Sequence, residues 1–361
     1  MAWGIGLDRL SDNSFLTHLA TGRVILDTGH VPTVDLYSFT APGEPWVVQS
    51  WFSSVLFAAA AELGHGAGLR LLIAGILALL VGLAWRLSRA TESLLPRVAL
   101  IGAFVGVGAG MWAERPFLIG LVALALTMLA VERDLDPRWL VPIGWIWVNS
   151  HGSFPLGIAY VVVVIVGDRL DGADTAAAVR ALKWLTVGVL VGSLNPLGPR
   201  LLWFPVELLA KQDALRNIGE WQAPEFTGPG QRLFLVQLAA GLVLLVRRPR
   251  YRSALLLVVF GLAALVSARN ITVASLVFVP VIAAGLPTVG TLRSSARPAL
   301  AQVSMLVVLC FAALLAATSL ERSTFDLSNY PVQVLDFLDE HQVDRGRARL
   351  AHPDVVGNYL E

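Results

Sequence analysis

"LLIAGILALLVGLAW", residues 71–85, contains no charged side chain. An uncharged apolar run of this kind is suited to bilayer hydrocarbon. "FLIGLVALALTMLAV" (117–131) and "VSMLVVLCFAALLAA" (303–317) repeat the pattern far along the chain. The whole sequence is 56% hydrophobic and 15% charged, whereas globular chains are about a quarter charged. These features predict an all-α, polytopic membrane protein. The single cysteine, Cys310, lies inside an apolar run, which excludes an internal disulfide and a cysteine-based metal site. The first thirty residues lack the apolar core of a signal peptide. No GxxxxGK[ST] loop points to a nucleotide-driven pump. No basic-aromatic surface points to nucleic acid.

Working outward, the apolar segments read as 67–86, 95–113, 115–131, 139–149, 154–167, 182–195, 230–246, 252–268, 271–287 and 299–319. Several are short: a run of about 15 residues covers about 22 Å of a core about 30 Å thick. Segments 139–149 and 154–167 are therefore read as one bent hairpin. Positive charge orients the set. Arg86, Arg89, Arg97, Arg133, Arg138, Arg169, Arg180, Lys183, "RRPRYR" (247–252), Arg293 and Arg297 all fall in alternate loops, on what should be the cytoplasmic side. Merging 139–167 into one span would put "RRPRYR" outside. The same parity places residues 1–66 and 321–361 outside, flanking a membrane domain at 67–320.

The remaining turns share that outer side: "AERP" (113–116), "NSHGS" (149–153), "NPLGPR" (195–200), a long loop at 196–229 with "GEWQAPEF", and "SARN" (267–270). Polar groups close to membrane depth are costly and usually face a protein-lined cavity. Taken singly, each turn could simply end a helix. Together they place Glu114, Arg115, His151, Asn195, Glu220, Arg269 and Asn270 on the side that carries Asp12 and His18. In "SDNSFLTHLATGR" (11–23), Asp12 is a good N-cap, a short helix is expected near 14–22, and Gly22 fits its stop. As an isolated D-x5-H, the pair reads first as a helix cap and a surface contact. "WVVQSWFSSVLFAAAAELG" (46–64) reads as a helix with Trp46 and Trp51 at the membrane interface. Gly102, Gly106 and Gly110 form a G-x3-G-x3-G run suited to close helix packing.

"SDNSFLTHLATGRVILDTGHVPTVDLYSFTAPGEPWVVQSW" (11–51) resembles the first outer loop of bacterial membrane glycosyltransferases of the GT-C superfamily, akin to protein mannosyltransferases and lipid A aminoarabinose transferases. His18, Leu19, Gly22, Pro32, Asp35, Ser38, Thr40 and Gly43 carry the pattern, and "ERPFL" (114–118), "WVNSHGSFPLG" (147–157), "LNPLG" (194–198) and "GEWQAPEF" (219–226) extend it. Asp12 fits the first of two acids expected before the histidine, and Ser14 stands where the second is expected. The resemblance implies a GT-C-type helical bundle whose outer first loop contains short helices. It also implies a preceding transmembrane helix and an outer C-terminal domain that runs on past "DVVGNYLE" (354–361), so the chain reads as part of a longer protein.

The implied activity is transfer of a sugar from a polyprenyl-phosphate donor to a glycan, lipid or protein acceptor on the outer face of the plasma membrane. The acceptor must lose a proton, and Asp12 is the candidate base. The departing phosphate needs fixed positive charge, for which Arg115 and Arg269 are the candidates. His18, Asp35, Glu114, His151, Asn195, Glu220 and Asn270 are candidate substrate-binding residues. Six histidines without H-x3-H spacing give no zinc site, and a divalent cation is left open. A transporter or flippase should show inverted repeats, which this sequence lacks. A non-catalytic partner in envelope glycan assembly is the other alternative.

Overall fold

The computed structural model describes residues 1–38, 40–210, 218–286, 298–328, 330 and 332–343. Among these residues the chain is all-helical, with only isolated bridges between extended positions. In a solvent that cannot hydrogen-bond, helices satisfy the backbone within each segment. The helices are α1 (Ala2–Gly6), α2 (Asn13–Thr28), α3 (Trp51–Leu87), α4 (Leu94–Ala109), α5 (Phe117–Val131), α6 (Leu140–Ser150), α7 (Phe154–Leu170), α8 (Ala176–Val191), α9 (Arg200–Ala210), α10 (Pro229–Arg247), α11 (Tyr251–Val266), α12 (Ile271–Gly285), α13 (Pro298–Leu320) and α14 (Val332–Glu340). Each apolar segment read from the sequence falls on one of them. By length and composition, three stretches among the described residues can cross a membrane: Trp51–Ala90, Pro229–Arg247 and Ala268–Gly285. Leu94–Ala109, Phe117–Val131 and Tyr251–Val266 are also apolar but shorter.

Helix α12 is the centre of the bundle. Every residue from Ile271 to Val279 is buried, as expected of a helix apolar on all faces. It packs against α4, α10 and α11. At the periphery the apolar surface turns outward: Leu235, Val236, Leu242 and Val243 on α10, and Val258, Val259, Leu262 and Leu265 on α11, are exposed. Exposed aliphatic faces of this extent suit a surface covered by lipid.

The charged loops separate by helix end. At one end Asp134 pairs with Arg86 and Arg89, Arg133 with Asp174, and Arg252 with both Glu132 and Asp168. These are the loops read as inner. At the other end Arg115 pairs with Asp12 and Glu220. These are loops read as outer.

Several local readings are corrected. Helix α2 continues past Gly22 to Thr28 and stops at Gly29, which has φ 69°. Gly22 instead lies against α3, where an added Cβ would be 1.9 Å from the Ser54 carbonyl oxygen. The helix expected at 46–64 begins at Trp51, because Trp46 donates its N–H to the Thr33 carbonyl in an extended pairing. It then runs on to Leu87 through a sharp bend at Gly64 and His65, where His65 has φ 49°. Part of the 196–229 loop is helical, as α9. Helices α6 and α7 are joined at 151–153, but α6 packs hardly on α7 and chiefly on α8. There Gly144 and Gly188 bring the backbones together: a Cβ on Gly188 would be 2.3 Å from the Leu140 oxygen. Residues 354–361 lie outside the described residues.

The segment after α13 is tied to the start of the outer loop. Arg70, buried in α3, donates to the Ser319 and Arg322 carbonyls at 2.6 and 3.1 Å. Leu10 N–H donates to Thr324 at 2.9 Å, and Asp326 N–H donates back to Leu10 at 2.9 Å. These bonds fix the backbone two residues before Asp12.

Candidate functional site

Asp12 has the extended backbone of an N-cap (φ −75°, ψ 121°), yet its side chain makes no cap hydrogen bond. The carboxylate turns to charged and hydroxyl donors instead, and only 8% of the side chain is exposed. Ser14 Oγ donates to Oδ1 at 2.6 Å. Arg115 Nε and Nη2 both reach Oδ2 at 2.8 Å. The guanidinium adds a full opposite charge and two N–H donors at once, which holds the carboxylate away from the helix amides.

Arg115 enters from the turn between α4 and α5, where Pro116 opens the next helix. Its third nitrogen, Nη1, donates to Glu220 Oε2 at 2.5 Å. Glu220 also faces Arg269, with Nη1 to Oε1 at 3.6 Å. Backbone bonds hold the two loops together: Ala268 N–H donates to the Gln222 carbonyl at 2.9 Å, and Ser267 Oγ to that of Glu220 at 3.1 Å. Arg269 lies between the rings of Trp221 and Phe117, 4.9 and 5.6 Å from their centroids. Its Nη2 is 2.9 Å from His151 Nε2. A guanidinium only donates, so Nε2 accepts and His151 is neutral. Burial, and secondarily the Arg269 charge, hold the His151 pKa well below the usual imidazole range. The result is a continuous chain of groups, Asp12–Arg115–Glu220–Arg269–His151, drawn from loops far apart in sequence.

His151 is aimed by a ladder between the start of α3 and the end of α6. Gln49 Nε2 donates to the Val148 carbonyl at 3.2 Å, Trp51 Nε1 to Asn149 Oδ1 at 2.8 Å, and Ser53 Oγ to the Ser150 carbonyl at 3.3 Å. His18 stands one turn and a half into α2, with Nδ1 3.3 Å from Ser54 Oγ. Burial lowers its pKa from 6.5 to about 4, against the opposing pull of Asp12. The unfolded histidine takes up its proton as pH falls through 6.5, the folded one only near 4. Stability from neutral His18 is therefore complete above pH 6.5 and is lost between 6.5 and 4. Allowing for partial exposure, the loss should be about 1–3 kcal/mol. His18→Gln should flatten that acid limb when unfolding temperature is followed against pH in detergent. An unchanged limb would show that His18 is not the group responsible.

Glu114 supplies a second acid near Asp12: Oε2 accepts the Asp12 N–H at 3.2 Å. Burial raises the Glu114 pKa, and the Asp12 charge adds to the rise. Three other candidates lie in local structure. Asp35 accepts from Tyr37 N–H, Ser38 N–H and Ser38 Oγ, closing its own turn. Asn195 caps its loop through Gly192, Leu197 and Gly198. Asn270 donates to the Ala263 carbonyl at the end of α11. Sequence reasoning missed Ser54, Phe117, Trp112, Gln231 and Thr272, whose proximity arises only from packing. Ser14, which stands where the resemblance expects a second acid, serves as a local hydroxyl donor to Asp12.

Asp12, Glu114, Arg115, Glu220 and Arg269 line one cavity of about 700 Å³, completed by the end of α4 and the first turns of α10 and α12. Ligand sites commonly enclose about 300–1,000 Å³. Among the described residues no three His, Cys, Asp or Glu side chains converge as metal ligands. No protein-family model matches the chain, and no curated protein matches it at a significant level.

Proposed function

We propose that the chain is a membrane glycosyltransferase of GT-C type, acting at the extracytoplasmic face of the plasma membrane on a polyprenyl-phosphate sugar. The observation that carries this reading is one cavity lined by a covered carboxylate and two arginines, at the end of an apolar bundle opposite its arginine-rich loops. The acceptor oxygen or nitrogen attacks the anomeric carbon, its proton passes to Asp12, and the bond from that carbon to the phosphate oxygen breaks. The lipid phosphate leaves with the electron pair. Arg115 and Arg269 stabilise the developing charge, an effect strongest in a site shielded from water. Glu220 keeps both guanidiniums at the cavity wall, and Trp221 and Phe117 hold the plane of Arg269.

The test is donor binding. Purified protein in nanodiscs should be stabilised by polyprenyl phosphate, and the effect should weaken as salt rises. Arg115→Gln and Arg269→Gln should each weaken binding by roughly ten- to a hundredfold, given about 1.5–3 kcal/mol for a hydrogen bond to a charged group. Equal stabilisation of wild type and the double variant would remove the phosphate assignment.

A further inference from the structure

The wall of the cavity away from Asp12 carries polar groups that the protein leaves unpaired. Trp112 Nε1, Gln231 Oε1 and Thr272 Oγ1 are buried atoms with no hydrogen-bond partner among the described residues. All three residues line the cavity. Trp112 is 7% and Thr272 2% exposed. They come from the end of α4 and the first turns of α10 and α12, helices that pack on one another. Native proteins leave few such groups, and each costs about 1–3 kcal/mol when desolvated without a partner.

The same helices show that pairing was available. Deeper between α10 and α12, Ser275 Oγ donates to Gln237 Oε1 at 2.6 Å, while Gln237 Nε2 is itself unpaired among the described residues. At the cavity the corresponding glutamine oxygen and hydroxyl do not pair. The indole is fixed by packing: it lies over Gly108, where an added Cβ would be 2.1 Å from Trp112 Cε2, and edge-on to Phe104 at 5.3 Å. Phe234 of α10 and Phe278 of α12 stack at 5.8 Å.

We infer that Trp112, Gln231 and Thr272 form the subsite for the hydroxyls of a neutral sugar ring, and so set which sugar is accepted. This rests on the transferase reading. An indole N–H donates, an amide oxygen accepts and a hydroxyl does either. That mixture of donors and acceptor matches vicinal hydroxyls and, unlike the arginine wall, carries no positive charge to favour an anion. Phosphate belongs at the arginine wall, and the ring it carries reaches the neutral one.

Thr272→Val keeps shape and removes one polar group; Trp112→Phe removes the indole N–H together with part of the packed ring. In nanodiscs, polyprenyl phosphate would be titrated beside polyprenyl-phosphate mannose, glucose and arabinose of the same chain length. Wild type should bind at least one sugar-bearing lipid about tenfold tighter than the bare phosphate. Each variant should erode that preference by roughly three- to tenfold, as expected for one hydrogen bond, and leave bare-phosphate affinity unchanged. Thr272→Val should also unfold no earlier than wild type, because its hydroxyl serves no internal bond. An unaltered preference, no preference in wild type, or a fall of several degrees for Thr272→Val overturns the subsite while the donor assignment stands. Wild type that binds no polyprenyl phosphate overturns the transferase reading and the subsite with it.

Discussion

Asp12→Asn should abolish sugar transfer, lowering turnover by about 10²- to 10⁴-fold, the range expected for loss of a general base. The substitution is nearly isosteric: the one asparagine oxygen can still accept from Arg115, and the Ser14 hydroxyl, a donor to Oδ1 in the wild type, can turn to accept from the new amide N–H. What disappears is the capacity to take the acceptor's proton. Arg115 keeps Glu220 as a charge partner, so the variant should insert and unfold much like wild type. Polyprenyl-phosphate binding should persist, which separates loss of chemistry from loss of the donor site. The measurement is single-turnover transfer in proteoliposomes, with donor affinity measured on the same samples. A variant that transfers at the wild-type rate would remove Asp12 as the base and leave it an ion-pair partner of Arg115. Glu114, whose pKa is raised by burial, would then be the carboxylate to substitute next.

Much of the bundle was legible because hydrophobicity is a local signal. Ten apolar runs gave ten helices, and the alternation of arginine-rich and mixed polar turns anticipated which loops meet at each end. Length was harder to read. Among the described residues, Trp51–Ala90, Pro229–Arg247 and Ala268–Gly285 are the stretches long and apolar enough to cross by themselves. The two arginines were nominated from their places at helix ends, and the structure puts both on the cavity that Asp12 lines. Asn195 and Asn270 were nominated on the same grounds, yet their amides close nearby turns. Sequence gives an amide's position but not its local backbone geometry, which decides whether it is spent on a cap. Trp112, Gln231 and Thr272 sit 41 or more residues from one another. Inside apolar or glycine-rich runs they carry no motif, and only the packing of α4, α10 and α12 reveals them.

Gly22 shows most sharply where a local signal misleads, and it gives the largest expected effect on stability. A glycine following "HLAT" reads as a helix stop, but the stop is Gly29, at φ 69°. Gly22 lies on the face of α2 that also carries Phe15, Leu19 and Ile25, all buried. There the backbones of α2 and α3 approach so closely that a methyl would overlap the Ser54 oxygen. A backbone oxygen cannot swing aside as a flexible side chain can. Gly22→Ala must therefore part the helices, at a cost of about 3 kcal/mol, the upper range for overpacking. Ser54 also contacts His18, so parting the helices should displace the loop that carries Asp12 and reduce transfer as well. Gly29→Ala should cost only about 1–2 kcal/mol, the penalty for a side chain in the left-handed region, and leave turnover intact. Unfolding temperatures and turnover of the two variants decide between the roles. If Gly22→Ala were mild and Gly29→Ala severe, Gly22 would be the helix terminator and the tight α2–α3 contact would be wrong.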